Sequence, residues 1–187
     1  MKQDQKIEEL FKKTIADTKH KQMTEEEYRY ISSFLGNKNL LVFGTGYDSD
    51  LWRYANQEGK TIFLEHNLDW ITNLEDTYHI KYTCNLRKDR YRLLEEYKRG
   101  EFSRLEIELP LEVKNTLWDI IIVDSPEGGK KKFYHGRMQS IYAAKKLAHD
   151  NTDVFIHDCD RYIESTYSSE MFSNFIKQLT KLRHYRK

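Results

Sequence analysis

Short apolar runs alternate with helix-like segments along this chain, and this alternation limits the possible folds more than any other feature of the sequence. The runs lie at residues 40–43, 61–64, 80–83, 120–123 and 154–156. Uniformly apolar runs of this length are typical of strands buried on both faces, as in a parallel sheet that has helices on each side. The sequence therefore predicts an α/β fold with a mainly parallel central sheet.

The segments around these runs carry apolar residues at helical spacing. They predict helices over residues 49–57, 68–78, 88–98 and 136–149. Two more helices are predicted before the first strand, the second beginning after Thr24 and ending at Gly36. A last helix and one or two edge strands should follow residue 161, with the final strand near residues 182–185. We thus expect an N-terminal helical segment, residues 1–38, packed on a domain of residues 39–187.

Charge and hydropathy exclude several classes of partner. Charged residues make up 33% of the chain but nearly cancel, giving a net charge of +1, so overall charge does not favour nucleic acid. No apolar stretch approaches the roughly 20 residues that span a bilayer, and the first residues lack the apolar core of a signal peptide. We expect a soluble, cytoplasmic protein with neither a membrane nor a nucleic-acid partner, and the sequence leaves its oligomeric state open.

Reactive residues follow three of the predicted strands directly. Gly44-Thr45-Gly46 follows the first, Asp124 follows the fourth, and His157-Asp158-Cys159-Asp160 follows the fifth. In an open parallel sheet, ligands bind beyond the carboxyl ends of the strands. These residues are therefore expected to share one active site.

The first of these segments predicts a cofactor site. Gly44 and Gly46 allow a sharp turn close to a ligand, and Glu65, at the end of the next strand, is placed to accept hydrogen bonds from an adenosine ribose. Asp48 or Ser49 could cap the following helix. Ser49 also stands where a third glycine would be expected for a dinucleotide, which favours a nucleoside cofactor without a pyrophosphate, such as S-adenosylmethionine. The full predicted set is Phe43, Gly44, Gly46, Asp48, Ser49, Glu65, His66 and Asp124.

Two simpler interpretations of the cofactor segment remain open. Gly44 and Gly46 alone are a weak signal and also suit an ordinary tight turn, with Glu65 as a solvated acid at a strand end. An NAD-linked oxidoreductase shares the glycine and ribose-acid pattern, although Ser49 counts against it.

The other two strand ends predict the chemistry. Clustered carboxylates hold a cation, share a proton or pair with a base, so Asp124, Asp158 and Asp160 are candidate ligands of a divalent metal. Methyl transfer to an alcohol requires removal of the hydroxyl proton, by a carboxylate or imidazole base or with the help of a metal. Asp124, His157 and Asp158 are therefore candidate catalytic residues, although His157 is equally well read as a structural residue.

Basic residues near Asp124 suggest how an acceptor is held. Arg137 is expected at the start of a helix, where a cation is unfavourable against the helix dipole unless an anion compensates it. It is therefore a fourth candidate catalytic residue, which would pair with a carboxylate or orient the sugar. Arg161 is a second pairing candidate for the acidic cluster. The lysine run 130–132 suits either an acidic acceptor or a solvated surface loop.

Several segments, taken in order, resemble one known family. Residues 41–52 (LVFGTGYDSDLW), 59–65 (GKTIFLE), 118–126 (WDIIIVDSP), 136–142 and 152–161 (TDVFIHDCDR), with the closing 182–185 (LRHY), resemble the glucuronoxylan 4-O-methyltransferase family of polysaccharide-biosynthesis proteins, also described as DUF579-type. The resemblance runs from about residue 39 to the end of the chain.

The resemblance implies a fold and an activity. The fold would be the Rossmann-like class I methyltransferase fold, and the activity an S-adenosyl-L-methionine-dependent O-methyltransferase acting on a sugar hydroxyl of a glycan, including a uronic acid residue, with divalent-metal dependence an open option. It places the cofactor at Gly44, Gly46 and Glu65. It places the reaction and acceptor site at Asp124, Gly136, Arg137, His157, Asp158, Asp160 and Arg161. A non-catalytic glycan-binding module is the remaining alternative.

Overall fold

The computed structural model describes residues 2–16, 23–128 and 134–187. Its sheet has seven strands in the order β3-β2-β1-β4-β5-β7-β6. The strands are β1 (Asn39–Phe43), β2 (Lys60–Glu65), β3 (Thr77–His79), β4 (Ile120–Val123), β5 (Asp153–Ile156), β6 (Lys177–Gln178) and β7 (Arg183–Arg186). Neighbours from β3 to β5 pair in parallel, whereas β7 pairs antiparallel with both β5 and β6. The predicted α/β fold with a mainly parallel sheet is confirmed.

Helices connect these strands. They are α1 (Lys2–Ala16), α2 (Glu25–Ser32), α3 (Ser49–Ala55), α4 (Leu86–Lys98), α5 (Leu111–Asn115), α6 (Met138–Leu147) and α7 (Tyr162–Phe172). Apart from the helix expected over residues 68–78, the predicted helices correspond to α1, α2, α3, α4, α6 and α7 with shifted ends, and α5 was not predicted. None of the helices in the described part of the chain is long and apolar enough to cross a membrane.

The prediction for residues 68–83 is wrong. The expected helix over residues 68–78 is a single 3-10 turn, Leu68–Trp70, followed by a loop, and β3 lies ahead of the strand expected at 80–83. The Asn67 side chain accepts a hydrogen bond from the Asp69 N–H and closes that turn. Leu68 and Leu74, which gave the segment its helical spacing, are 65% and 83% exposed, so no buried face holds them in a helix.

Apolar side chains cover both faces of the sheet. Leu41, Ile121 and Val154 belong to the core on one face, and Leu40, Ile122 and Phe155 belong to the core on the other. The second core also contains Phe11, Tyr28 and Ile31 from the first two helices. The N-terminal helices are therefore part of the core that supports the sheet.

Strand register brings three strand ends level with one another. Phe43 of β1 pairs with Val123 of β4, which pairs in turn with Ile156 of β5. The chain crosses from one side of the sheet to the other between β1 and β4, and this switch point is where open α/β sheets bind ligands. The residues that follow Phe43, Val123 and Ile156 therefore emerge side by side at that crevice.

Candidate active site

One cavity of about 280 Å³ lies at the carboxyl ends of the parallel strands. Its walls come from the segments after β1, β2, β4 and β5, together with Trp52 of α3 and Lys181 before β7. The lining residues are Val42, Gly44, Thr45, Asp48, Trp52, Glu65, His66, Trp70, Asp124, Ser125, Glu127, Gly128, Arg137, His157, Asp158, Arg161 and Lys181. The reactive residues that follow separate strands in the sequence thus face one space.

Gly44 is required at the exit of β1. Its φ of +113° is in the region that side chains disfavour. A Cβ at this position would also lie 2.7 Å from the Ser125 Cβ. The first glycine therefore allows the loop after β1 to pass close to the loop after β4.

Glu65 ends β2 as a buried carboxylate that anchors two loops. Oε2 accepts from the Thr45 N–H at 2.9 Å, and Oε1 accepts from the His66 and Asn67 N–H groups, each at 2.7 Å. Burial raises the pKa of Glu65, but hydrogen bonds from His66, Asn67 and Thr45 outweigh it and hold the pKa below its ordinary value. Glu65 is therefore an ionised hydrogen-bond acceptor beside the glycine turn.

His66 bridges two carboxylates across the cavity. Nδ1 lies 2.9 Å from Glu65 Oε1, and Nε2 lies 3.0 Å from Glu127 Oε2 in the loop after β4. Burial lowers the pKa of His66, but the two carboxylates outweigh it and raise the pKa to about 9. The charged imidazolium ties the end of β2 to the loop after β4.

Arg137 neutralises the acidic cluster between β4 and β5. Its Nη2 lies 2.9 Å from Asp124 Oδ1 and 2.5 Å from Asp158 Oδ2, and its Nη1 donates to the His157 carbonyl at 2.8 Å. Arg161 approaches the same Asp158 oxygen at 2.9 Å. The expectation that Arg137 compensates carboxylates at the start of a helix, and that Arg161 pairs with this cluster, agrees with the geometry.

Asp124 is an ionised carboxylate held from one side. His157 Nδ1 lies 2.9 Å from Oδ1, the same oxygen that Arg137 contacts. Burial raises the pKa of Asp124, but Arg137 and His157 outweigh it and lower the pKa below its ordinary value. Asp158 stands opposite with a φ of +61°, a strained conformation that often occurs at functional sites.

His157 is enclosed between Asp124 and helix α2. It is 1% exposed, and its Nε2 lies 3.9 Å from Glu27 Oε2 without a hydrogen-bond partner among the described residues. Burial lowers the pKa of His157, but Asp124 outweighs it and raises the pKa. Because its Nδ1 contacts Asp124 and its Nε2 faces Glu27, His157 is placed to hold the Asp124 carboxylate in position.

Asp48 is a further carboxyl in the cavity, and no lysine or arginine of the described residues forms an ion pair with it. Burial and the charge of Asp124 raise the pKa of Asp48 to about 7, partly offset by a hydrogen bond from Trp52. Asp48 is the residue before α3, but its side chain makes no capping bond. Ser49 does not cap either, since its Oγ accepts from the Gly46 N–H at 2.9 Å.

The predicted cofactor residues divide into two groups. Those that line the cavity are Gly44, Asp48, Glu65, His66 and Asp124, whereas Phe43, Gly46 and Ser49 do not. The Phe43 side chain is fully buried in the core and does not reach the cavity. The Gly46 N–H is occupied by Ser49, so these two residues shape the turn.

The candidate metal ligands also differ from those expected. Asp124, His157 and Asp158 each offer one ligand atom, and these atoms lie within 4.8 Å of one another. Asp160 does not belong to this group, contrary to expectation, because its side chain is exposed where the chain turns towards α7. His157 takes its place.

Sequence reasoning missed several residues of the cavity region, among them Trp52 and Glu127. Lys181 and Trp70 line the cavity, and Glu27 supports it from α2. Glu27 carried a signal only as a helix-capping partner of Thr24, which it is. The lysine run 130–132 lies outside the described residues.

The sequence matches one protein family over most of its length. The family described as IRX15/IRX15L/GXM matches residues 26–185. Glucuronoxylan 4-O-methyltransferase 1 of Arabidopsis thaliana is 34% identical over 194 residues, which cover 88% of this chain and 67% of that protein. Arabinogalactan O-methyltransferase 1 of the same plant is 34% identical over 161 residues, which cover 73% of this chain and 55% of that protein. The chain thus spans little more than half to two thirds of these relatives.

A solved structure supports the fold. MycE methyltransferase from the mycinamycin biosynthetic pathway, determined in complex with Mg and SAH, matches 97% of this chain and 48% of its own chain, with a TM-score of 0.50 and 13% identity. At this identity the similarity concerns the fold alone. It confirms the predicted Rossmann-like fold.

Proposed function

Because this chain belongs to the IRX15/IRX15L/GXM family, we propose that it transfers the methyl group of S-adenosyl-L-methionine to a sugar hydroxyl of a glycan. Relatives named as glucuronoxylan and arabinogalactan O-methyltransferases support both the reaction and the class of acceptor. The observation that carries the proposal is the single cavity at the switch point, with Glu65 at one end and the Asp124 cluster at the other.

Gly44, Glu65 and His66 form the cofactor end. The Glu65 carboxylate accepts the ribose hydroxyls, which join or replace the bond from the Thr45 hydroxyl at 3.2 Å. The ionised Asp124 places negative charge where the cofactor's sulfonium would lie, between β1 and β4, and Asp48 lines the same space. This charge favours the sulfonium form over its neutral product.

Asp124 is the group that takes the proton of the acceptor hydroxyl. Among the described residues, the contacts from Arg137 and His157 to its carboxylate both fall on Oδ1, and Oδ2 is the atom that we assign to the acceptor. As the hydroxyl oxygen attacks the methyl carbon in line with sulfur, the C–S bond breaks and the proton passes to Asp124. Arg137 and His157 hold the carboxylate in position and do not contact the acceptor.

A divalent cation is compatible with the ligand types of the same cluster. Asp124, His157 and Asp158 would hold it, and when bound it would polarise the acceptor hydroxyl as a Lewis acid. Arg137 already contacts both carboxylates, so a cation would compete with the guanidinium for them.

The acceptor end of the cavity is basic. The Arg161 side chain is 40% exposed, and Lys181 lines the same wall. These residues suit a glycan that carries a uronic acid.

Incubation with S-adenosylmethionine and glucuronoxylan oligosaccharides tests this function. We expect mass spectrometry to detect a methylated product and release of S-adenosylhomocysteine, and D124N to abolish both. Cofactor consumption at background level with intact glycan binding would instead identify a non-catalytic module. NADH binding without S-adenosylhomocysteine binding would support the oxidoreductase alternative.

A further inference from the structure

Lys181 reaches the cavity through the reversed direction of β7. Because β7 runs antiparallel, Ile156 at the end of β5 pairs with Arg183 at the start of β7. The turn before β7 therefore lies at the same edge of the sheet as Asp158. Lys181 in this turn lines the cavity, although it is far from the other site residues in sequence.

The Lys181 backbone is fixed from both sides. Its N–H donates to Glu27 Oε1 at 2.7 Å, and its carbonyl accepts from the Cys159 N–H at 2.7 Å. The N–H of Leu182 also donates to Glu27 Oε1, at 3.0 Å. Glu27 is 0% exposed, so a buried carboxylate from α2 holds this turn against the end of β5.

Within residues 2–16, 23–128 and 134–187, the Lys181 ammonium has no counter-charge. No residue in the described ranges forms an ion pair with it, whereas Arg137 and Arg161 are both paired with Asp158. Lys181 is thus the basic residue of the cavity wall whose charge is left for a ligand.

Its position assigns it to the acceptor side. Glu65 ends β2, and three strands, β1, β4 and β5, separate β2 from β7. With strands spaced about 4.8 Å apart, β7 lies roughly 19 Å from β2. A cofactor whose ribose lies at Glu65 and whose sulfur lies near Asp124 occupies β2, β1 and β4, which leaves the β7 side for the acceptor.

We propose that Lys181 binds a negatively charged group of the acceptor glycan, and that Glu27 is the positioning residue that holds it over the cavity. This inference rests on the proposed function. It explains why a buried carboxylate of α2 makes bonds to the turn before β7 as well as to its own helix cap.

Substitution of Lys181 tests the binding role. The protein is saturated with S-adenosylhomocysteine, and binding of glucuronoxylan oligosaccharides is followed by calorimetry, with KM measured in parallel. We expect K181M to weaken acceptor binding about tenfold or more, as expected for loss of a charged hydrogen bond, with affinity for S-adenosylhomocysteine unchanged. K181R should retain most binding. K177M, at an exposed lysine on β6, is the matched control and should behave as wild type.

Substitution of Glu27 tests the positioning role. We expect E27Q to raise the acceptor KM, with a smaller effect in the K181M background, because coupled residues are not additive. T24A removes the other half of the α2 cap and should lower the melting temperature without changing the acceptor KM. If E27Q does not fold, the Lys181 variants still decide the binding role.

The outcomes separate this inference from the proposed function. A wild-type protein that binds acidic oligosaccharides through Lys181 but transfers no methyl group would refute the function and retain the inference. Normal acceptor binding by K181M in an active enzyme would refute the inference alone. Equal loss of S-adenosylhomocysteine affinity in K181M would also refute it, by assigning Lys181 to the cofactor.

Discussion

Arg137 and Asp158 form a buried ion pair at the junction of β4 and β5. The Nη2 to Oδ2 distance is 2.5 Å, and the two side chains are 5% and 8% exposed. The same nitrogen contacts Asp124, so one guanidinium balances two carboxylates that would otherwise repel each other.

Removal of Arg137 should therefore destabilise the fold as well as the site. We expect R137M to lower the free energy of unfolding by about 3–5 kcal/mol, since it removes the buried guanidinium that contacts both carboxylates and leaves only His157 and Arg161 beside them. R137K should fold better but remain poorly active, because an ammonium cannot reproduce the planar contacts. Urea denaturation measures the effect, and R99M, at an exposed pair with Glu101, should leave the midpoint unchanged. A midpoint for R137M equal to wild type would contradict the role.

Glu65 should control cofactor affinity. We expect E65Q to weaken binding of S-adenosylhomocysteine about 10- to 100-fold, because a hydrogen bond to a charged group contributes about 1.5–3 kcal/mol. Calorimetry measures the change. E75Q, at an exposed residue of the loop before β3, is the control and should bind as wild type. Unchanged affinity in E65Q would remove this carboxylate from the cofactor site.

His66 should make stability fall with pH under alkaline conditions. Its pKa is raised to about 9, above the ordinary value near 6.5, so its stabilising charge is fully present below about pH 6.5 and is lost as pH rises through 9. Stability curves should show this decline in the wild type and not in H66Q, whereas H149Q should retain it. NMR titration should give a lower pKa for His66 in E127Q. An unchanged pKa of His66 in E127Q would exclude the contact between His66 and Glu127.

Asp48 should oppose stability as pH rises towards neutrality. Its pKa is raised to about 7 in the folded protein, whereas an Asp in the unfolded chain has a pKa of about 3.9. The stability that protonated Asp48 contributes is therefore fully present below about pH 3.9, and it is lost as pH rises through 7. D48N does not ionise, so its free energy of unfolding should rise relative to that of the wild type between these two pH values. Above pH 7 the difference between the two proteins should stay constant. Thermal unfolding across the pH range measures this gap. Parallel curves for the two proteins would contradict the raised pKa.

Metal binding should depend on Asp158 and not on Asp160. We expect millimolar Mn²⁺ to raise the melting temperature of the wild type and of D160N, and to leave D158N unchanged, because Asp124, His157 and Asp158 have ligand atoms within 4.8 Å of one another. The comparison separates two ligands that the sequence suggested, because the structure groups Asp158 with Asp124 and His157 but leaves Asp160 outside that group. Loss of the Mn²⁺-induced rise in melting temperature in D160N would restore Asp160 as a metal ligand.

Strand ends were predictable because their signals are local. The predicted strands end at Phe43, Val123 and Ile156, as the structure has them, since continuous apolar runs stop where the chain leaves the sheet. The loop at residues 67–76 was not predictable in this way, because Leu68 and Leu74 imitate a helical stripe but remain exposed.

The rest of the site depends on contacts between distant segments. Glu27 and Lys181 are brought together across most of the chain, and no local pattern encodes that pairing. Asp160 shared its sequence neighbourhood with Asp158, yet the turn into α7 carries it to the surface. Proximity in sequence therefore suggested Asp160 as a ligand although it lies outside the cluster, and it gave no indication that Glu27 supports the site.

The two ends of the cavity are built from separate stretches of the chain. Residues 44–66 supply the glycine turn and Glu65, whereas residues from Asp124 onward supply the basic and acidic wall near β7. The two stretches meet where His66 contacts Glu127 and where Gly44 passes close to Ser125, whereas the turn before β7 lies at the other side of the cavity from Glu65. Under the proposed function, acceptor specificity can therefore change through substitutions in the turn before β7 while the methyl-donor end of the cavity is inherited unchanged.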